Sequence, residues 1–314
     1  TAEVRADARA DERGDAADTD PHAGAVLIRH RGHHPFNALF GLPSAPPRGS
    51  GKASWQVALE QGNNFAGGRE GGEALLMDGE SGELAVRHDR SLGRCWRGEA
   101  VVPLSFHHGG WADGAIDDWH GWFGLPDADR GVVEDFGLRY GYLGPDERTY
   151  RLDEPSTGLG DIHLALLRAL DCDGGAAGGG AHLRVGVKLP SGDVGRLLGS
   201  GATDAYADVL SPILSVGHRV RMAASAGALL AGDSAPFAGQ RRLVGYGSIG
   251  LSLRILPRWD ALLQLDWHTP LHDSELRELG AFATSLAGGV RYRLRGGQRI
   301  ELSVAEDAVI DTYP

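Results

Sequence analysis

The residues in this sequence best suited to chemistry are histidines and aspartates between positions 107 and 120. Imidazole nitrogens and carboxylate oxygens bind divalent metal ions, and either group can act as a general base. On a helix, Asp113, Asp117 and His120 would share one face, with His107 just before it. These four residues are the metal candidates of the sequence, and a base among them is the alternative chemistry.

A structural interpretation of the same stretch is favoured. Trp111, Trp119 and Trp122 recur at helical spacing on another face and are followed by Phe123, which predicts a short amphipathic helix in a loop. The spacing fits no standard metal motif such as H-E-x-x-H, and no G-x-S-x-G nucleophile elbow occurs. We expect a helix that plugs or lids the protein, no cofactor, and an enzyme only as the less favoured alternative.

A second set of candidates consists of charged residues that alternate with apolar ones. Leu183, Val185 and Val187 share one face of the segment AHLRVGVKLP. Arg184 and Lys188 share the opposite face. The same alternation gives five more charged candidates in later segments: Arg254, Asp266, Arg291, Arg293 and Glu301. Around an aqueous lumen, such side chains would either select solutes by charge or pair with one another, and both interpretations remain open.

The elements that would position these residues are β-strands, because alternating segments recur from Ser54 onward. Hairpin-like spacing between the segments leaves no room for the helical crossovers of a parallel sheet. The fold class is therefore all-β and antiparallel. We predict about twelve strands, near residues 53–64, 82–90, 95–106, 134–144, 159–171, 181–190, 206–216, 218–231, 243–256, 259–269, 281–294 and 297–308.

Alternation alone does not separate a transmembrane β-barrel from a soluble β-sandwich or propeller. A sandwich turns its apolar face to the core, whereas a barrel turns it to lipid. The sequence contains no run of 18 apolar residues, which excludes a transmembrane helix but not a barrel. Aromatic residues make up only 7% of the chain, which is few for the aromatic girdles of a membrane barrel.

Composition divides the chain into three regions. Residues 1–22 contain mostly Ala, Asp, Glu and Arg without an apolar stripe, which predicts a flexible acidic N-terminal arm. Residues 23–52 mix an apolar cluster around Phe40 with prolines, which predicts an irregular plug or cap segment. Residues 53–314 are the predicted β-barrel.

Charge and cysteine content limit the function classes. A net charge of −11 argues against nucleic acid as a partner, because phosphate binding needs a basic surface. Cys95 and Cys172 have no metal-type spacing and are either a disulfide or two free thiols. No charged-then-apolar leader starts at Thr1, so a secretory signal has either been removed or never existed.

Several motifs together carry a resemblance to a known family. The pattern LPSGD followed by LLGSG resembles strand ends of outer-membrane channels of aromatic degradation (the MetA pathway). The fuller set resembles a proteobacterial outer-membrane family known as domain of unknown function 3187. Its further motifs are NALFGLP at 37–43, LLMDGE at 75–80, HHGGWADGAIDDWHGWFGLPDADR at 107–130 and STGLGDIHL at 156–164.

The resemblance covers about residues 35 to 312 and implies a Sec-exported β-barrel in the bacterial outer membrane. It implies outer-membrane lipid and an unidentified small solute as partners. Such families usually finish on a strand with a C-terminal aromatic residue, whereas this sequence finishes AVIDTYP. We therefore expect either that a last strand is absent from the sequence or that closure is made differently.

The expected function is passage or binding of a small molecule, with a hydrophobic one favoured. Two alternatives stay open: an outer-membrane enzyme that uses the His and Asp cluster on lipid or other surface substrates, and a structural or partner-binding barrel. Fold alone does not decide among them.

Overall fold

The computed structural model describes residues 26–30, 32, 34–36, 41–47, 52–110, 137–171, 180–234, 239–294 and 298–308. These residues form a single antiparallel sheet of fifteen strands. The strands are β1 (Ala53–Glu70), β2 (Glu73–Ser91), β3 (Trp96–His108), β4 (Arg139–Leu143), β5 (Thr149–Leu152), β6 (Ser156–Leu159), β7 (Ile162–Ala169), β8 (His182–Leu189), β9 (Asp204–Leu210), β10 (Leu214–Val216), β11 (Val220–Leu230), β12 (Leu243–Leu256), β13 (Trp259–His268), β14 (Ala283–Arg293) and β15 (Arg299–Asp307).

Helical structure is sparse in the described residues. They contain a four-residue α-helix, Arg277–Gly280, and a three-residue 3-10 helix, Val194–Arg196. Within the described ranges, no helix has the length and apolar character needed to cross a membrane. The amphipathic helix predicted near residues 111–123 lies outside the described residues.

The two faces of the sheet have opposite character, as the alternation predicted. On β8, Val185 is 53% exposed, whereas the neighbouring Arg184 is 2% exposed and Lys188 is fully buried. The same holds on β13, where Leu263 is half exposed while Asp260 is buried. A soluble sandwich buries the apolar face and exposes the charged face to solvent. The soluble alternative is therefore wrong, because here the charged face is the inner one.

The sheet curves around a segment of chain that precedes β1. We call the described residues between 26 and 47 the inner segment. Ile28 binds Gln264 on β13, and the next residue, Arg29, binds Gln56 on β1. Because β1 and β13 lie far apart in the strand order, the sheet must wrap around the inner segment for both contacts to form.

The ends of the sheet differ in their connections. We call the end with the turns at 217–219 and 257–258 the turn end, and the opposite end, with the connections 190–203 and 269–282, the loop end.

Within the described residues, β1 pairs only with β2 and β15 only with β14, so the described sheet is not closed. The antiparallel pairings make these two edge strands run in the same direction.

The strands differ from the predicted ones mainly in their bounds. Twelve of the fifteen strands correspond to the twelve predicted ones, and the other three are the short strands β5, β6 and β10. The first hairpin is longer than predicted, because β1 and β2 continue to a turn at Gly71 and Gly72, where both φ angles are positive. The strand predicted near 206–216 is split into β9 and β10, and β5 and β6 were missed.

Candidate functional site in the charged interior

Oppositely charged residues face one another across β8 and β9 on the inner face. The register places Arg184 opposite Asp208 and Lys188 opposite Asp204. Arg184 Nη2 lies 2.6 Å from Asp208 Oδ2, and Lys188 Nζ lies 3.1 Å from Asp204 Oδ2. Lys188 Nζ also lies 2.6 Å from Asp161 Oδ2. Buried charges of this kind are tolerated only when paired and hydrogen-bonded, so these pairs fix the inner wall.

The first limb of the inner segment crosses the interior, and the backbone groups of Ile28 and Arg29 form hydrogen bonds to the wall. Gln264 Oε1 accepts from the Ile28 amide at 2.7 Å, and Gln264 Nε2 donates to the Ile28 carbonyl at 3.1 Å. Arg87 Nη1 donates to the carbonyl of Arg29 at 2.9 Å. The Arg29 guanidinium forms a buried ion pair with Glu99 on β3. An unpaired backbone group here would cost the free energy of a lost hydrogen bond, so these contacts hold the segment in place.

The tip of the inner segment, at Phe36, packs against aromatic side chains at the loop end. The Phe36 side chain is fully buried among Tyr140, Tyr142 and Tyr150, with ring centroids between 6.2 and 6.5 Å away. The Phe36 amide donates to Nδ1 of His34 at 3.2 Å. Edge-on aromatic pairs at this distance add stability beyond the area that they bury. We call Tyr140, Tyr142 and Tyr150 the tyrosine cage.

Two histidines beside the tip have pKa values well below that of a free imidazole. Burial, with the nearby His272 and His268, lowers the pKa of His34 to about 3. Burial likewise lowers the pKa of His272, in the connection after β13, to about 4. Both imidazoles are therefore neutral near pH 7.

The returning limb packs along β8. Gly41 has a φ of +60°, and a Cβ added there would lie 2.3 Å from Cδ of Lys188. The Ser44 carbonyl accepts from Arg184 Nη1 at 2.9 Å, and the Ala45 carbonyl accepts from Nε of Arg29 at 3.0 Å. The returning limb thus runs beside the first limb, back toward the turn end.

A cluster rich in arginine lies on the inner face near the turn end. Asp260 Oδ atoms lie 3.7 Å from Arg221, 3.6 Å from Arg254 and 3.5 Å from Arg293. Arg291 Nη2 lies 2.6 Å from Glu301 Oε2. Further along β13, Asp266 Oδ2 lies 2.9 Å from Nε2 of His30 in the inner segment.

All seven charged residues predicted to line a lumen are placed on the inner face, in three groups. Arg184 and Lys188 belong to the β8–β9 pairs, Asp266 touches the inner segment, and Arg254, Arg291, Arg293 and Glu301 lie near the turn end. Six of these residues pair with inner-face residues and Asp266 pairs with His30, so the structure favours a paired network over a field of separate charges.

The predicted plug and metal residues are mostly outside the described residues. These are Phe40, Trp111, Asp113, Asp117, Trp119, His120, Trp122 and Phe123. His107 is described: it is buried on β3, with Nε2 2.7 Å from the Leu197 carbonyl and its ring edge-on to Tyr140. Across the described ranges, no group of three His, Cys, Asp or Glu could hold a metal ion. Cys95 is disulfide-bonded, and Cys172 lies outside the described residues.

Sequence reasoning missed the residues of the inner segment that make the contacts, above all Ile28, Arg29, His34 and Phe36. Their partners Arg87, Glu99 and Gln264 lay in predicted strands at inward positions. The available signal was the apolar cluster that precedes the first predicted strand, within residues 23–52.

The outer face carries aromatic residues at two levels. Trp55, Trp96, Trp259 and Tyr292 lie at strand ends near the turn end, and the rings of Trp259 and Tyr292 are 4.7 Å apart. Near the loop end, Trp267 stacks on Phe282 at 5.9 Å. Exposed Leu, Val and Ile side chains cover the sheet between the two levels. Six of the described aromatic residues thus lie at the two levels where a girdle would lie.

Two solved structures and one family model are similar to this chain. The structure is similar to the COG4313 outer membrane channel from Pseudomonas putida F1, with a TM-score of 0.54 and 12% identity over 86% of this chain and 92% of that chain. The toluene transporter TodX of P. putida gives a TM-score of 0.37 and 12% identity over 83% of this chain and 73% of that chain. A family model described as "Protein of unknown function (DUF3187)" matches residues 16–314. No curated protein matches the sequence.

The likeness to the channel shows the fold. The antiparallel strands have the fold of an outer-membrane β-barrel channel, with the apolar face of the curved sheet outside and the charged face inside. The predicted fold class is confirmed.

Proposed function

This chain belongs to the DUF3187 family of proteins of unknown function, and from that membership and the fold we propose that it is a bacterial outer-membrane barrel that binds or passes a small molecule. The observation that carries this proposal is the inner segment, which fills a polar lumen through specific contacts. Residues 23–52 would act as the plug, and movement of the plug would open the path.

Outer-membrane location is supported by the spacing of the aromatic levels. On β13, Trp259 and Trp267 mark the two levels and are separated by eight residues. A rise of about 3.3 Å per residue and a tilt of about 40° place them roughly 20 Å apart along the membrane normal. An apolar band in these barrels is about 25 Å tall, so the band on this barrel has a suitable height.

The orientation follows from the connections. Outer-membrane barrels have short periplasmic turns and longer extracellular loops. The turn end, with the turns at 217–219 and 257–258, would therefore face the periplasm. Both limbs of the inner segment run toward this end, so the plug would enter and leave the lumen from the periplasmic side.

Lipid is the partner expected at the turn end. Exposed basic residues surround this rim: Lys52, Arg90, Arg168, Arg219 and Arg258. The Arg168 guanidinium lies 5.7 Å from the ring centroid of Trp96. Basic side chains that extend from an aromatic girdle suit the phosphate groups of lipid head groups.

A hydrophobic solute is favoured by the lumen near the loop end. Buried aromatic and aliphatic residues line it around the tyrosine cage: Leu75, Met77, Leu138, Leu271, Leu276 and Leu279. The charged residues deeper in the lumen pair with one another or with the inner segment, which weakens their field on a passing ion.

The decisive experiment compares the conductance of the full chain with that of a variant lacking residues 26–47, in planar bilayers. We expect the full chain to be closed and the variant to conduct, with heat-modifiable migration on a gel showing that both are folded. A folded variant that conducts no better than the full chain would refute the proposal. The enzymatic alternative rests on Asp113, Asp117 and His120, and loss of an activity in D117A/H120A is its separate test.

A further inference from the structure

The tip of the inner segment is held by hydrogen bonds as well as by the tyrosine cage. The Phe36 amide donates to His34 Nδ1, and the imidazole of His272 donates to the Phe36 backbone carbonyl. The His34 and Phe36 rings also meet edge-on, at 6.2 Å. Both backbone groups of Phe36 therefore depend on histidines.

Three buried histidines from three elements lie in this region. His34 belongs to the inner segment, His268 ends β13, and His272 lies in the following connection. They are close enough for a charge on one to act on the other two. Nε2 of His34 and Nε2 of His268 have no hydrogen-bond partner among the described residues. A cluster of this kind accommodates neutral rings and opposes protonated ones.

Among the described residues, little negative charge is available to compensate a proton in this cluster. Glu73 is the carboxylate that acts on His272, but it already accepts from the Tyr142 hydroxyl, the Ser274 hydroxyl and the Glu275 amide. In the described part of the chain, the tip also packs on two neutral phenols: Tyr140, which receives a hydrogen bond from Asn64 and contacts His107, and Tyr150, which donates to the Gly195 carbonyl. The carboxylates of Glu80 and Asp78 act on Tyr140.

We propose that His34, His268 and His272 form an acid-sensitive latch, which holds the tip of the inner segment while the three rings are neutral and releases it when they are protonated. This inference rests on the proposed function, because the segment that the latch holds is the proposed plug.

The direction of the effect follows from linkage. An exposed imidazole titrates near 6.5, whereas those of His34 and His272 in the docked state have pKa values of about 3 and 4. Between these values the released state binds more protons, so docking weakens as the pH falls below 6.5. At pH 5 each of the two imidazoles would weaken docking by roughly 30-fold.

The test measures release of the segment with a buried cysteine. Ser44 is buried in the returning limb, so S44C should react with a thiol reagent only when the segment leaves the lumen. The exposed Ser215 provides S215C, whose reaction rate corrects for the effect of pH on the reagent. Labelling would be compared at pH 7.5 and pH 5.0 in the otherwise native chain and in H34Q/H272Q.

We expect corrected labelling of S44C to rise at least tenfold at pH 5.0, with H34Q/H272Q abolishing most of the rise. H218Q, which changes an exposed histidine in a turn, should leave the rise intact. Equal corrected labelling of S44C at both pH values would overturn the latch even if the double variant failed to fold. A conducting deletion of residues 26–47 together with pH-independent labelling would leave the proposed function standing without the latch.

Discussion

The carboxamide of Gln264 pairs with both backbone groups of Ile28, accepting from its amide at 2.7 Å and donating to its carbonyl at 3.1 Å. A side chain on β13 thereby supplies the hydrogen-bond acceptor and donor that a neighbouring strand would otherwise supply to the inner segment. The segment is thus bound to the wall by a peptide-like contact in the middle of the lumen.

Q264A should loosen the inner segment, because it leaves the amide and carbonyl of Ile28 buried without partners. A loss of about 1–3 kcal/mol in docking free energy is expected. Increased labelling of a cysteine at Ser44, measured at pH 7.5, would report this loss. Q298A, at an exposed position between β14 and β15, is the control and should not change labelling. Unchanged labelling in Q264A would show that water replaces the carboxamide.

E99Q should destabilise the folded barrel. Glu99 is buried and pairs with Arg29, with Arg184 Nη1 3.5 Å away, so its neutralisation leaves the Arg29 charge uncompensated. Breaking a buried pair in this way costs about 3–5 kcal/mol. The urea midpoint of unfolding, followed by heat-modifiable migration, measures the effect. E147Q removes an exposed carboxylate and should leave the midpoint within error; similar midpoints for the two variants would argue against the buried pair.

G41A should be more harmful than G72A, although both glycines have positive φ. The Gly72 position has open space for a Cβ, so G72A carries only the backbone cost of about 1–2 kcal/mol. G41A adds a clash with the buried stem of Lys188, which costs about 1–3 kcal/mol more. Urea unfolding of the two variants gives the difference. Equal destabilisation would mean that the inner segment moves away from β8 without cost.

The pair of His30 and Asp266 should respond to pH in the opposite direction from the latch. Burial lowers the pKa of His30, but the hydrogen bond and charge of Asp266 outweigh burial and raise it. This pair therefore stabilises docking below pH 6.5 and loses its effect as the pH rises through the raised pKa. D266N should remove that contribution and make S44C label faster at pH 6 than in the native background, with little change at pH 9. A change of equal size at pH 9 would contradict the charged pair.

The local part of the fold could be predicted from the sequence. Every second residue of a strand lies on the same face, so Arg184 and Lys188 could be assigned to one side of β8 without knowledge of any partner. The first half of β2 could not be predicted, because Gly79 and Gly82 interrupt the alternation of apolar and polar residues although the strand continues through them. Glycine weakens the strand signal without ending the strand when neighbouring strands supply the hydrogen bonds.

The contacts of the site could not be predicted from the sequence, since they depend on register and on curvature. Asp204 and Asp208 meet Lys188 and Arg184 only because the β8–β9 pairing has one particular offset. Phe36 reaches Tyr140 across more than a hundred residues of sequence. No local pattern encodes such a contact, and an isolated apolar cluster before the first strand was the only signal.

The course of the inner segment would make the proposed occlusion reversible in a simple way. Its two limbs lie side by side, with the Ala45 carbonyl on Arg29, and both lead to the turn end. A plug of this shape would leave the lumen through the turn end as a tethered loop. Return is then an intramolecular event at high effective concentration, so the barrel could reset after each opening without a partner to reload it.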